Sequence, residues 1–443
     1  MGTRTFAPER LMALSLLHAN DKLGEHAPSW YAASARPMAT FEPLQGEHMF
    51  DVAIIGGGYS GLSAALHLAK NGYKVALLEA HRIGWGASGR NGGQVSSGQG
   101  SDLEKIETSM GKELAEQVYQ IRIEAGNIVR SLVKTHAIDC ALRPGIIGVN
   151  HRKRYDADSR SFVEKMQREY GSEALEYISP DAMSEKLGAA NYSGGTLDKA
   201  SFHLHPLNFA RGIAEAAIKA GVAIFEQSEV FSAENGEIKT ATGSVKCNWT
   251  ILACNGYIGN LNPQAASRVM PLNNFIIATE PLDDDVANSL IKDGEAVYDS
   301  RFVVNYFRLS EDNRMLFGGG ENYSYRFPKD IKAFVRPKML EIFPQLKDAK
   351  IDYGWGGTLG ITLNRLPLFE VMPCNMLNIS GYSGDGVAMA TMAGKIAAEA
   401  IDGQMSRFDV MSKLPTPKFP GGPFLRWPTM IAAMVWYSLR DKI

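Results

Sequence analysis

Gly56, Gly58 and Gly61 stand in Gly-x-Gly-x-x-Gly spacing within DVAIIGGGYSG (51–61), and Glu79 closes the run KVALLEA. In this spacing the first glycine permits a tight turn and the second lets backbone approach a pyrophosphate. The third lets a helix pack closely on a strand. The pyrophosphate would rest on free N–H groups at a helix N-terminus, beside Tyr59 and Ser60, where the macrodipole favours negative charge. Glu79 is placed to accept hydrogen bonds from a ribose diol, and its charge disfavours a 2′-phosphate. These residues specify an ADP moiety and leave FAD and NAD both open.

A second glycine-rich turn, GYSGDG (381–386), stands more than 300 residues downstream and opens a helical pattern. Gly384, Asp385, Gly386 and Val387 lie at that helix start. Its positive dipole end could face the O2/N1 edge of an isoalloxazine, where reduction places negative charge. An NAD domain would be compact and continuous, so a fingerprint closed by so distant a segment favours FAD. The loop GASGRNGGQ (86–94) agrees. Gly86, Ala87, Ser88, Gly92 and Gly93 allow close backbone approach, Arg90 and Asn91 offer donors, and Gln94 ends the loop. Ala80 and Arg82 beyond Glu79, with Val230 after VAIFEQSE, complete the expected cofactor wall.

The candidate catalytic residues are Tyr306 and Arg308 on NYFRLS, Trp355, Arg365, Tyr382 and Asp385, with Thr358 on the same face. Aromatic rings would wall a methylene chain and an ammonium, and arginines suit a carboxylate. Arg365, just before Leu-Pro, is the strongest of the arginines. Asp385 could attract an ammonium, or its side chain could cap the following helix. His203 and His205 alternate like a metal pair, yet no third ligand stands nearby, so a structural turn before a helix is expected and no metal.

These residues need elements to hold them. DVAII reads as a buried strand, SGLSAALHLAKNG as a helix closing on Gly72, and KVALLEA as a second strand, a βαβ unit. Residues 102–136, 207–220 and 330–343 read as helices. CNWTILACNGY (247–257), NNFIIATEPL, FVVNYFRLS and RMLFGGG read as strands. The βαβ pieces at 51–79, 222–256 and 376–401 are expected to meet in one sheet. The fold class is then mixed, α/β and α+β: a Rossmann-like FAD-binding domain of the glutathione-reductase type, interleaved with a mixed-sheet substrate domain. The expected division is an arm (1–47), FAD-binding segments (48–140, 206–260, 369–402), substrate segments (141–205, 261–368) and a tail (403–443).

A chain of 443 residues suits two such domains, and a net charge of −2 gives no basic face for nucleic acid. Four cysteines without metal or framework spacing favour a reducing cytoplasm. No signal-peptide pattern or spanning run is evident. The tail FLRWPTMIAAMVWYSLRDK gathers Leu425, Ile431, Met434, Val435 and Leu439 roughly on one face beside Arg426, Arg440 and Lys442. Docking on the protein's own body is expected over lying on a membrane surface.

GGGYSGLSAALHLAKNGYKVALLEAHRIGWGASGRNGGQ resembles the D-amino-acid-oxidase-like superfamily of FAD oxidoreductases, which includes sarcosine and glycine oxidases. SWYAASA, HLHPLNFA, IATEPL, RPKMLEIFPQLKDAKIDYGWGG, LNRLP and FPGGPFLRWP…WYSLRDK resemble its gamma-glutamylputrescine oxidase branch. The resemblance runs from about residue 29 to the C-terminus. It implies FAD, oxidation of an amine C–N bond to an imine that hydrolyses to an aldehyde, and O2 reduced to H2O2. The branch implies gamma-glutamylputrescine as substrate in putrescine catabolism, with an arginine for its carboxylate. A cyclic or N-methylated amino acid, or a membrane-associated dehydrogenase feeding a quinone, are the alternatives. Relatives often carry His where Asp385 stands. Some attach flavin through a cysteine in the stretch matching GWGGTLGITLNRLP (354–367); this stretch has none, so non-covalent FAD is expected.

Overall fold

A computed structural model of the chain describes residues 15–98, 103–322 and 324–420, so the expected amphipathic tail lies outside the described residues. The first sheet contains β1 (Gly46–Ile55), β2 (Val75–Leu78), β3 (Ala223–Phe225), β4 (Ser232–Glu234), β5 (Glu237–Lys239), β6 (Gly243–Leu252), β7 (Leu368–Met372) and β8 (Met376–Ser380). Its order is β7-β8-β6-β1-β2-β3, with the β4–β5 hairpin added to β6. β8, β6, β1, β2 and β3 run parallel, and β7 is antiparallel to β8. The three distant segments therefore do meet in one sheet. All four residues of β2 and the last four of β1 are buried, as continuous apolar runs in a covered parallel sheet must be.

Helix α1 (Tyr59–Lys70) follows β1 and ends at Asn71, after which Gly72 takes φ +89°. The expected helix over 102–136 is broken in two, Leu103–Met110 and α2 (Lys112–Thr135), because Gly111 at φ +92° cannot continue it. α3 (Pro206–Lys219), α4 (Ile331–Ile342) and α5 (Gly386–Ile401) match their expected positions. The strand expected through 257 stops at Leu252, and residues Asn255–Tyr257 form a 3₁₀ turn with Asn255 at φ +47°. The strand expected in FVVNYFRLS is only Tyr306–Leu309, and the irregular arm contains a short helix, Trp30–Ser34.

The second sheet runs Ile351–Ile361, Met270–Thr279, Met315–Asn322, Tyr306–Leu309, Ala296–Asp299, Arg143–Val149, Gly195–His203 and Gln94–Val95, with Leu175–Ile178 also paired to Gly195–His203. Its register sets Gly318, Tyr306, Tyr298, Gly148 and Thr196 directly opposite one another on five successive strands. Apolar side chains of α1, α2, α3 and α5 join those of the first sheet in one core. A second core joins the second sheet to α4.

Candidate active site

A cavity of about 1570 Å³ is lined from both sheets. That exceeds the roughly 300–1,000 Å³ of ordinary small-ligand pockets and suits a dinucleotide-sized group with a substrate beside it. Its wall includes Gly56, Gly58, Tyr59, Ser60, Glu79, Ala80, Gly86, Ala87, Ser88, Arg90, Asn91, Gly92, Gln94, Val230, Gly384, Asp385, Gly386 and Val387. Tyr306, Arg365 and Tyr382 stand in the same wall.

Other expected residues lie behind that wall. A Cβ on Gly61 would fall 1.9 Å from the Gly56 carbonyl oxygen, so Gly61 serves the packing of α1 on β1. A Cβ on Gly93 would meet the Leu204 oxygen at 2.0 Å, and Arg82 pairs with buried Glu226 at 2.7 Å. Trp355 is buried, donates its indole N–H to the Arg90 carbonyl at 3.0 Å and packs edge-on against Tyr31. Arg308 is buried too and donates to the carbonyls of Gly92 (3.0 Å) and Leu204 (3.1 Å), acceptors that an enclosed guanidinium requires. Thr358 donates to the Asn273 side chain at 2.8 Å. For Trp355, Arg308 and Thr358 the structure thus replaces substrate contact with internal bonding.

The cofactor end is built from backbone. Gly56 takes φ +113°, where a side chain would collide with the Ala253 carbonyl at 2.7 Å. Glu79 accepts the Gly57 N–H at 2.7 Å and the His81 N–H at 2.9 Å. Burial pushes its carboxyl up to about 7, against the pull of those two bonds. α1 starts at Gly58 and α5 at Asp385; neither residue's own side chain bonds back to its helix, and the Ser88 hydroxyl accepts the Tyr59 N–H at 3.0 Å. The capping alternative for Asp385 is thereby corrected. Tyr382 and Ser60 link the two helix starts through an Oη–Oγ hydrogen bond of 2.7 Å. FAD fits this wall: two helix N-termini and a strand-end carboxylate open onto one cavity of sufficient size.

The far side belongs to the second sheet. The Tyr306 hydroxyl donates to the Asn274 side chain, and Arg365, at φ +68°, sets its guanidinium 5.6 Å from the centre of the Phe302 ring. Tyr298, Asn274, Phe302 and Ser383 also line the cavity, and the sequence reading missed all four. Burial pushes the phenols of Tyr306 and Tyr382 upward, so they stay neutral at ordinary pH. His205 caps α3 by accepting the Asn208 N–H at 3.1 Å, and His203 bonds the Gly294 carbonyl at 2.9 Å. Burial pulls both imidazoles down to about 3.

The arm crosses this site. Ser15, Leu16 and Leu17 line the cavity. His81 donates from Nε2 to the Leu17 carbonyl (2.8 Å) and accepts the Gly24 N–H at Nδ1 (3.3 Å), while its ring stacks on Trp85. Asp21 pairs with buried Arg90 at 2.8 Å, and Asn20 bonds Tyr325 and Phe327 of the second half of the chain.

Residues 51–400 match the family described as FAD dependent oxidoreductase (DAO). The chain is 41% identical, over 95% of its length and 99% of the relative's, to gamma-glutamylputrescine oxidoreductase of Escherichia coli (strain K12). It is 40% identical, over 94% and 97%, to a probable oxidoreductase, OrdL, of Rhizobium meliloti (strain 1021). Among solved structures, glycine oxidase from Geobacillus kaustophilus superposes with a TM-score of 0.68 at 20% identity, over 82% of this chain and 98% of that one. With the fingerprint, the second helix start and this coverage in agreement, the chain belongs to the DAO family of FAD-dependent oxidoreductases.

Proposed function

We propose that this protein oxidises the terminal primary amine of gamma-glutamylputrescine, the compound in the name of its Escherichia coli relative, and that O2 takes the electrons. The end-to-end likeness to that relative carries the reading. The amine loses two electrons and two protons to become an imine, water releases the aldehyde and ammonia, and O2 becomes H2O2.

FAD, when bound, supplies the acceptor for the hydride from carbon, so the chain needs no nucleophile or metal of its own. The first turns of α1 and α5 would give N–H donors to it and Glu79 would take its ribose hydroxyls, with the loop 86–94 lining the same cavity. Asp385 holds a carboxylate where an ammonium must lose its proton before the carbon is oxidised. Arg365 at the cavity wall suits the glutamyl carboxylate, and Tyr306 and Tyr382 line the same cavity.

The same proposal includes non-covalent FAD, a cofactor unit (48–140, 206–260, 369–402) beside a substrate unit (141–205, 261–368), and a cytoplasmic setting. No helix among the described residues is long and apolar enough to cross a membrane. The test mixes purified holoenzyme with gamma-glutamylputrescine, putrescine, pipecolate, sarcosine and glycine while flavin absorbance and peroxide are followed. Bleaching with gamma-glutamylputrescine and matching peroxide is the expected result. Bleaching only by pipecolate or sarcosine sinks the substrate assignment, and bleaching without peroxide sinks O2.

A further inference from the structure

Gly148 and Gly318 are glycines for a reason their backbones do not supply, since neither has φ in the left-handed region. A Cβ on Gly318 would lie 2.1 Å from Cζ of Tyr306, and one on Gly148 would lie 2.8 Å from Oη and 2.9 Å from Cζ of Tyr298. Tyr298 and Tyr306 are paired across adjacent strands, and each ring leans outward over the glycine on its other side. Bare backbone thus gives each ring room to lie down on the sheet. Gly92 closes over Tyr306, where a Cβ would meet the ring at 2.8 Å. Tyr298 has no such cover: it lines the cavity and is 43% exposed. Asp198 and Asp385 line the same cavity, and both act electrostatically on the Tyr298 phenol.

We propose that the reclining ring of Tyr298, continued by that of Tyr306, forms an aromatic floor that binds an extended, cationic amine, and that Gly148 determines specificity by keeping this floor low, with Gly318 seating Tyr306 beside it. The inference rests on the amine-oxidase reading and adds the residues that select a linear chain carrying an ammonium group. A reclining ring presents its electron-rich face, which attracts cations, and especially alkylammonium ions.

The test uses holoenzyme and calorimetric titration with n-hexyltrimethylammonium and tetramethylammonium, which lack the nitrogen lone pair that oxidation requires. The wild-type protein should bind the hexyl ion more tightly than the small one. Tyr298→Leu should weaken hexyl binding about tenfold, whereas Tyr298→Phe, which keeps the ring, should hold it within about twofold. Gly148→Ala should lift the ring and weaken the hexyl ion more than tetramethylammonium. Tyr298→Leu changes a half-open side chain, so it tests the floor even where Gly148→Ala fails to fold. Wild-type affinity in Tyr298→Leu, or equal losses in the Leu and Phe variants, overturns the proposal. Failure of wild-type enzyme to oxidise gamma-glutamylputrescine would refute the substrate reading instead and leave these titrations in force.

Discussion

Glu79 holds a proton at pH values where an exposed carboxyl has lost it. Its value near 7 lies above the ordinary 4.5, so between those pH values the folded chain holds a proton the unfolded chain has lost. The stability this proton contributes to the apoprotein is present below about 4.5, declines as pH rises through that window, and is gone above about 7. Ribose hydroxyls donating to Glu79 favour the charged form, which gives the opposite trend for the ligand. FAD affinity of apoprotein should rise from pH 5 to 7 and then level off, as read by flavin fluorescence quenching. Glu79→Gln should flatten that curve; a wild-type affinity indifferent to pH would discredit the ribose contact. Tyr382 offers a second measurement. Tyr382→Phe leaves the Ser60 hydroxyl without its 2.7 Å partner, and urea unfolding should register a loss of about 1 kcal/mol.

Among the elements, α1 and α5 decide the site, because their starts must reach the same cavity. Gly394 lets them touch: a Cβ there would lie 2.3 Å from the Ser60 oxygen and 2.7 Å from the Ala64 nitrogen, both on α1. Gly394→Val should push the helices apart, cost roughly 1–3 kcal/mol in urea and weaken FAD binding in parallel. Full stability with normal FAD affinity would show the contact to be dispensable. Most of these elements were legible in residue patterns. Gly56-x-Gly58-x-x-Gly61 marks its own turn, and the apolar runs of β1, β2 and β8 announce buried strands. The substrate side was legible only in part: Tyr306, Arg365, Tyr382 and Asp385 stand in the cavity wall, but other lining residues are joined only by register between distant strands. Nothing in AVYDS says that Tyr298 opposes Tyr306, or that Gly148 makes room for its ring. Arg308 and Trp355 misled for a related reason, since residue type does not reveal which face of a strand is sealed.

Taken whole, the molecule is tied together by contacts that are remote in sequence. The buried Asp21–Arg90 pair fastens the arm to the cofactor loop, with Trp85 beneath the guanidinium. Asp21→Ala would leave that charge without its counter-ion, and chemical denaturation should show a loss of about 3 kcal/mol. An unchanged midpoint would mean that carbonyl acceptors alone satisfy Arg90. Acid precipitation checks the cofactor linkage: yellow colour should stay in the supernatant, and a yellow pellet would mean a covalent bond. The parallel pairing of β6 between β1 and β8 also has a consequence during synthesis. β1 leaves the ribosome early, while β8, which completes the sheet and leads to the second helix start, appears some 320 residues later. At about 5–20 residues per second that delay is on the order of tens of seconds. Throughout it the face of α1 that meets α5 has no partner, and for about the last 120 residues one flank of β6 has none either, so a nascent chain needs shielding, and slow translation or a shortage of chaperones should lower the yield of flavin-loaded protein before any mature property changes.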